Sequence, residues 1–165
     1  MKNFSNKYMF LYSAALVTDV ALVLAVVAMS LKDRQDANKR NEKMQQLLKA
    51  IDVTVDAKGA EAAYMEYFKQ ELTVNTNGET ITCFGVDTTS ITEKSRAFNI
   101  VLKEQQNIEK ANAGTGAFPV YVFEKDGQTG YVIPMQGNGL WGAVYANLAL
   151  QSDLNTVVGV TFSHD

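Results

Sequence analysis

Gly137, Gly139 and Gly142 form the spacing G-x-G-x-x-G, with Leu140 and Trp141 inside it. At a strand-to-helix turn such glycines let backbone N–H groups approach a pyrophosphate. Here they follow two β-rich runs late in the 165-residue chain, and no second parallel unit comes after them. That context favours two other readings. One is a glycine-rich turn ahead of a strand. The other is an open shelf for a planar ligand, with Leu140 and Trp141 beside it. Trp141 is the only tryptophan, and an indole offers both a flat face and one donor.

The other chemical candidates are few. The chain has one cysteine, Cys83, and one histidine, His164. An internal disulfide is therefore excluded, and a zinc site of His and Cys lacks ligands within one copy. A Ser-His-Asp triad would have to recruit His164, which reads instead as a surface or hydrogen-bonding residue. Cys83 stands between Thr82 and Phe84 on a β-rich run and is expected to be buried and inert. Asp87 to Thr92 (DTTSIT) reads as a turn and helix cap. The carboxylates are scattered, and no spacing nominates an acid–base pair. The formal net charge of -3 argues against a nucleic-acid surface, which needs clustered Lys and Arg.

The elements that must position these residues follow from pattern. Met44, Leu47, Leu48 and Ile51 make an amphipathic helical stripe, read as a short juxtamembrane helix. A second helix is expected over Gly59 to Leu72, with Tyr64, Tyr67, Phe68 and Leu72 on one face. Asn77-Gly78 marks a turn before a strand at Ile81 to Phe84. Glu93 to Lys110 reads as a helix with Ile100 and Ile108 inward, or in part as a loop; Ala113 to Gly116 is a loop. Phe118 to Glu124 and Thr129 to Pro134 flank Lys125-Asp126-Gly127-Gln128, a hairpin with Asp-Gly at its turn. Ala143 to Leu150 is an apolar run, and Thr156 to Phe162 is a strand. Antiparallel hairpins preceded by helices give an α+β class.

Tyr8 to Leu31 is a mostly apolar run with one charge, Asp19. About 20 such residues cross a hydrocarbon core, and a carboxylate in its middle costs about 2.5–3.5 kcal/mol on insertion scales. Asp19 is either a tolerated polar residue or a contact inside a larger membrane complex. A cleaved signal peptide ending near Val26-Val27-Ala28 is the rival reading, but the apolar run is longer than such peptides carry. The expected division is an anchor at 1–32, a juxtamembrane helix and linker at 33–56, and a domain at 57–165. Lys32, Arg34, Lys39, Arg40 and Lys43 follow the span, and Lys2 and Lys7 precede it. By the positive-inside count alone the domain would be cytoplasmic.

One combination of segments carries a resemblance. Ser30-Leu31-Lys32, Gln35 to Asn38 and the Met44–Ile51 helix are followed by Tyr131 to Pro134, Gly137 to Trp141 and Val157 to His164. Together they resemble the C subunit of the sodium-translocating NADH:quinone reductase, with the G subunit of the Rnf electron-transport complex as the nearest relative. The resemblance spans nearly the whole chain and is weakest between residues 53 and 130.

It implies an FMN-binding α+β domain on the periplasmic side of the bacterial inner membrane, against the charge count. It implies a flavin that passes single electrons between other subunits of a membrane redox complex, linking it to NADH and quinone indirectly. Nucleic acid has no part in it. By resemblance, Gly139, Leu140 and Trp141 would line the isoalloxazine. His164 would stand at the strand end leading to the family's Glu-Thr-Pro-Gly segment. Family members carry FMN esterified to a threonine in Ser-Gly-Ala-Thr-x-Thr. Neither Thr88-Thr89-Ser90 nor Gly114-Thr115-Gly116 matches that motif, so the attachment threonine is absent from these residues. The β-rich run close to Asp165 implies the front part of a longer protein. The competing expectation is an anchored, non-catalytic partner- or ligand-binding domain without flavin.

Overall fold

The computed structural model describes residues 5–86 and 96–164. The turn and cap expected at Asp87 to Thr92 lies outside them, as does the start of the helix expected from Glu93. Contacts divide the chain into two units, Met1–Arg40 and Asn41–Asp165.

The first unit is helical. Helix α1 (Asn6–Ala50) starts in it, and its apolar stretch is long enough to cross a membrane. The side chains there are exposed throughout, as lipid-facing residues are. The Tyr8 and Tyr12 rings stack with centroids 6.4 Å apart. Thr18 Oγ1 and Ser30 Oγ donate back to the carbonyls of Ala14 and Val27, both at 2.8 Å, so neither hydroxyl needs water.

The second unit is one antiparallel sheet with helices on one face. Its elements are the end of α1, helix α2 (Ala60–Tyr67), strands β1 (Phe68–Val74) and β2 (Thr80–Gly85), and a 3-10 turn at Ala97–Asn99. Helix α3 (Leu102–Ala111) and strands β3 (Phe118–Lys125), β4 (Gln128–Asn138), β5 (Ala143–Gln151) and β6 (Val157–His164) follow. The six strands run in the order β2-β1-β3-β4-β5-β6.

Met44, Leu47, Leu48 and Ile51 are buried against Tyr64, Phe68, Tyr121 and Phe123. The stripe read as juxtamembrane is thus core of the sheet domain. It is not a separate helix but the end of α1. That helix stops in a Schellman arrangement, with Asp52 left-handed (φ 59°) and Val53 N–H on Leu48 O at 3.0 Å. Lys125 Nζ reinforces it by donating to Ile51 O at 2.7 Å.

Two expectations fail. The helix from Gly59 ends at Tyr67, and Phe68 to Leu72 is strand. Tyr64 and Phe68 stack at 4.8 Å across the helix–strand junction, which imitates a helical spacing in sequence. Ile108 is exposed rather than inward, because α3 turns its glutamines to the sheet: Gln106 Nε2 donates to Gln136 O at 2.9 Å. The hairpin at Asp126-Gly127 forms as read, with φ 52° and 75°, the left-handed pair that fits the twist of its strands.

Strand registers place Val122, Ile133, Leu148, Val160 and Phe162 on the sheet face opposite the helices. These side chains are partly or wholly exposed.

Candidate functional site

The connection from β4 to β5 is a tight loop closed by Gly139 N–H on Gly142 O at 2.7 Å. It joins two antiparallel strands, and no helix N-terminus follows it, so the pyrophosphate reading of the glycines has no support. Of the three, Gly139 is fixed by sterics: a Cβ there would lie 2.7 Å from Val144 Cγ2 and 3.0 Å from Gly142 O. Gly137 and Gly142 have open space instead.

The loop pushes its two large side chains outward. Leu140 is 90% and Trp141 98% exposed. Next to them, the strand register pairs Gly137 with Val144 and Val144 with His164. A row of small and apolar positions therefore runs from the loop to His164. Gly139, Leu140, Trp141 and His164 line one open depression with Gly142 and Val144, about 440 Å³ in volume. The four residues singled out in the sequence thus share one place, although 23 positions separate Trp141 from His164. A flat apolar floor, an unburied indole and an imidazole at the rim suit a planar heteroaromatic group such as a flavin ring.

Cys83 lies elsewhere and is exposed, not buried. It pairs with Leu72 on the outer strand β2 and faces away from the helices. The half-buried Glu109 has a capping role: it accepts from the N–H groups of Gly114 and Gly116 and from Thr76 Oγ1, and these bonds hold its carboxyl below the usual range. Among the described residues no group of three or more His, Cys, Asp or Glu could hold a metal ion.

Sequence reasoning missed a polar cluster under the helices. Glu71 and Arg96 form a fully buried ion pair. Arg96 Nε donates to Glu71 Oε2 at 3.1 Å, Tyr64 OH to Glu71 Oε1 at 2.9 Å, and Phe98 N–H to Oε2 at 3.3 Å. Burial, and then the charges around them, push both Tyr64 and Tyr121 well above the ordinary phenol range. Lys43, on α1, donates to Phe98 O and lies 4.7 Å from the centre of the Phe98 ring. Burial lowers its pKa to about 8, against the pull of Glu71. Lys43 sits four residues before Leu47 on the buried stripe, which was the only signal for it.

The third feature is a gap in the sheet. The β3–β4 ladder runs from Lys125/Gln128 to Tyr121/Val132 and stops. One residue pair skipped, the same register would bring together Pro119 and Pro134, the two prolines of the chain. Neither has an N–H to give. Beyond that point β3 stays with β1 and β4 with β5. Side chains of α3 span the opening: Ala117 N–H donates to Gln105 Oε1 at 2.9 Å, and Gln106 reaches Gln136 O. A cleft of about 370 Å³ lies there, walled by Lys43 and Gln46 of α1, Leu102 and Lys103 of α3, and Tyr145 and Asn147 of β5.

No model of a known protein family matches the chain. It is 28% identical over 153 residues to the C subunit of the Na(+)-translocating NADH-quinone reductase of Vibrio parahaemolyticus, covering 86% of this chain and 57% of that protein. It is 27% identical over 163 residues to the corresponding protein of Neisseria meningitidis serogroup B, covering 97% and 62%. Among solved structures, the corresponding protein from Parabacteroides distasonis superposes with a TM-score of 0.66 at 32% identity, covering 82% of this chain and 58% of that one. The chain thus spans little more than half the length of the relatives it matches.

Proposed function

We propose that this chain works as the C subunit of a sodium-translocating NADH:quinone reductase, an inner-membrane complex, and that its sheet domain holds FMN at the Gly139–Trp141 shelf. The observation that carries the reading is the meeting of Gly139, Leu140, Trp141 and His164 around one depression, in a fold shared with the solved relative at a TM-score of 0.66.

When bound, FMN supplies one-electron transfer between the complex's other redox centres. The chain's own residues bind and orient it. Trp141 and Leu140 give the ring an apolar surface. Gly139 keeps the loop low enough for close approach. His164 offers a ring nitrogen at the rim. Residues 1–32 anchor the domain in the bacterial inner membrane, residues 33–40 link it, and residues 41–165, the end of α1 included, form the flavin domain on the periplasmic side. The neighbouring subunits of the complex are its partners.

The test is flavin binding by the purified chain, read by quenching of FMN fluorescence. Trp141→Ala is expected to weaken FMN at least about fivefold, the loss of one base-sized stacking contact of about 1–3 kcal/mol. The melting temperature should hold, because the indole is exposed. Equal affinity in the variant, or no binding by the parent chain, would overturn the reading. The flavin is expected to come away on acid precipitation, since no Ser-Gly-Ala-Thr-x-Thr lies in these residues.

A further inference from the structure

We propose that the cleft between β3 and β4 is a second binding site, for a small organic carboxylate whose head sits on Lys43 and whose apolar body lies between Leu102, Pro119 and Pro134. The cleft is built by the sequence. The β3–β4 ladder ends at Tyr121/Val132, short of the point where the same register would oppose the two prolines inside a six-stranded sheet, and α3 spans the opening with glutamine side chains rather than backbone. The space of about 370 Å³ falls in the range of small-molecule pockets.

The lining chooses an anion. An ammonium carries three N–H donors; among the described residues Phe98 O is the hydrogen-bond acceptor Lys43 reaches. Lys103 adds a second positive charge on the α3 side of the same cleft. A lysine drawn out of water is costly, the Glu71 carboxylate that pulls on it is already paired with Arg96, and a bound carboxylate would add a direct charge-assisted hydrogen bond. The apolar wall selects an organic anion over inorganic phosphate.

Glu71 on β1, paired with Arg96 ahead of the 3-10 turn, is the carboxylate that acts on Lys43, and Glu42 on α1, Lys103 on α3, Tyr145 on β5 and His164 on β6 border the same cleft. Lys43 loses its charge near pH 8, because burial disfavours the ammonium form. Binding should therefore weaken as pH rises through that value.

The experiment is calorimetric titration of the full chain in neutral detergent with benzoate, against matched empty micelles. Benzyl alcohol serves as the uncharged control. The expected result is benzoate binding that benzyl alcohol does not reproduce. It should fall at least about tenfold between pH 6.5 and 9.5, as the lysine deprotonates, and by a similar factor in Lys43→Met. No benzoate binding by the parent chain, equal binding of benzyl alcohol, or a flat pH profile would overturn the proposal. The pH profile needs no variant, so a Lys43→Met chain that fails to fold leaves the test intact. Trp141→Ala should leave benzoate unchanged while it weakens FMN. The two sites therefore stand or fall separately.

Discussion

Lys43 shows how one side chain can set a pH dependence. Its pKa is about 8 in the folded domain, because burial disfavours the charged form, against about 10.4 for a lysine in water. Between those values the unfolded chain binds more protons than the folded one. Stability must then rise with pH across that window and lose this gain as pH falls through 8. Lys43→Met removes the group and should flatten the curve. Urea unfolding at pH 7.5 and pH 10 checks this: the parent chain should gain more stability than the variant between the two. An equal gain in both would show that Lys43 is not the source. Trp141 is the opposite kind of residue. Its exposure means that its replacement costs the fold little, so any effect belongs to the ligand.

At the scale of elements, the β1 strand and the 3-10 turn are held together by charge. Glu71 accepts from Arg96, Tyr64 and the Phe98 N–H inside an aromatic shell. Removing one partner leaves the other charged and buried, which costs about 3–5 kcal/mol. Glu71→Ala is therefore expected to destabilise the domain by that order, measured by denaturant unfolding. The double variant Glu71→Leu/Arg96→Met should recover much of the loss, since an apolar pair of similar volume has no charge to strand. Recovery failing would mean that the pair organises the turn as well as neutralising itself.

This network also marks where the sequence was legible. Turns with a left-handed pair, such as Asp126-Gly127, and strands with strong β-branching, such as β6, announce themselves locally. Glu71 did not. Lys69-Gln70-Glu71 reads as the polar face of a helix, and only the register with Tyr121 puts its third residue inside. Likewise Cys83 looked like a core residue by type, and its burial was decided by which face of β2 it occupies. The shelf was legible because its residues cluster in one loop and one strand end. The cleft was not, because its two prolines are 15 positions apart, and their opposition exists only once the hairpin has set the register.

For the whole molecule, the chain brings its own probes of two points of organisation. Cys83 is its single cysteine and is exposed. A membrane-impermeant maleimide added to intact cells should label it if the domain is periplasmic. Labelling only after lysis would support the positive-inside count instead. The second point is where the folding unit begins. Sequence pattern puts the domain at 57–165, whereas contacts put the boundary after Arg40. Met44, Leu47, Leu48 and Ile51 are fully or almost fully buried, and each such side chain contributes about 1.5–3 kcal/mol. Their sum is comparable to the whole stability of a small domain. A chain starting at Asn41 should therefore fold cooperatively without detergent, and one starting at Ala57 should not. Gly159 gives an independent check on the same packing, because a Cβ there would strike the Ala50 carbonyl. Gly159→Ala should destabilise the Asn41 chain by about 1–3 kcal/mol. If the Ala57 chain folds as stably as the longer one, the end of α1 is only a linker, and residues 33–56 belong outside the domain after all.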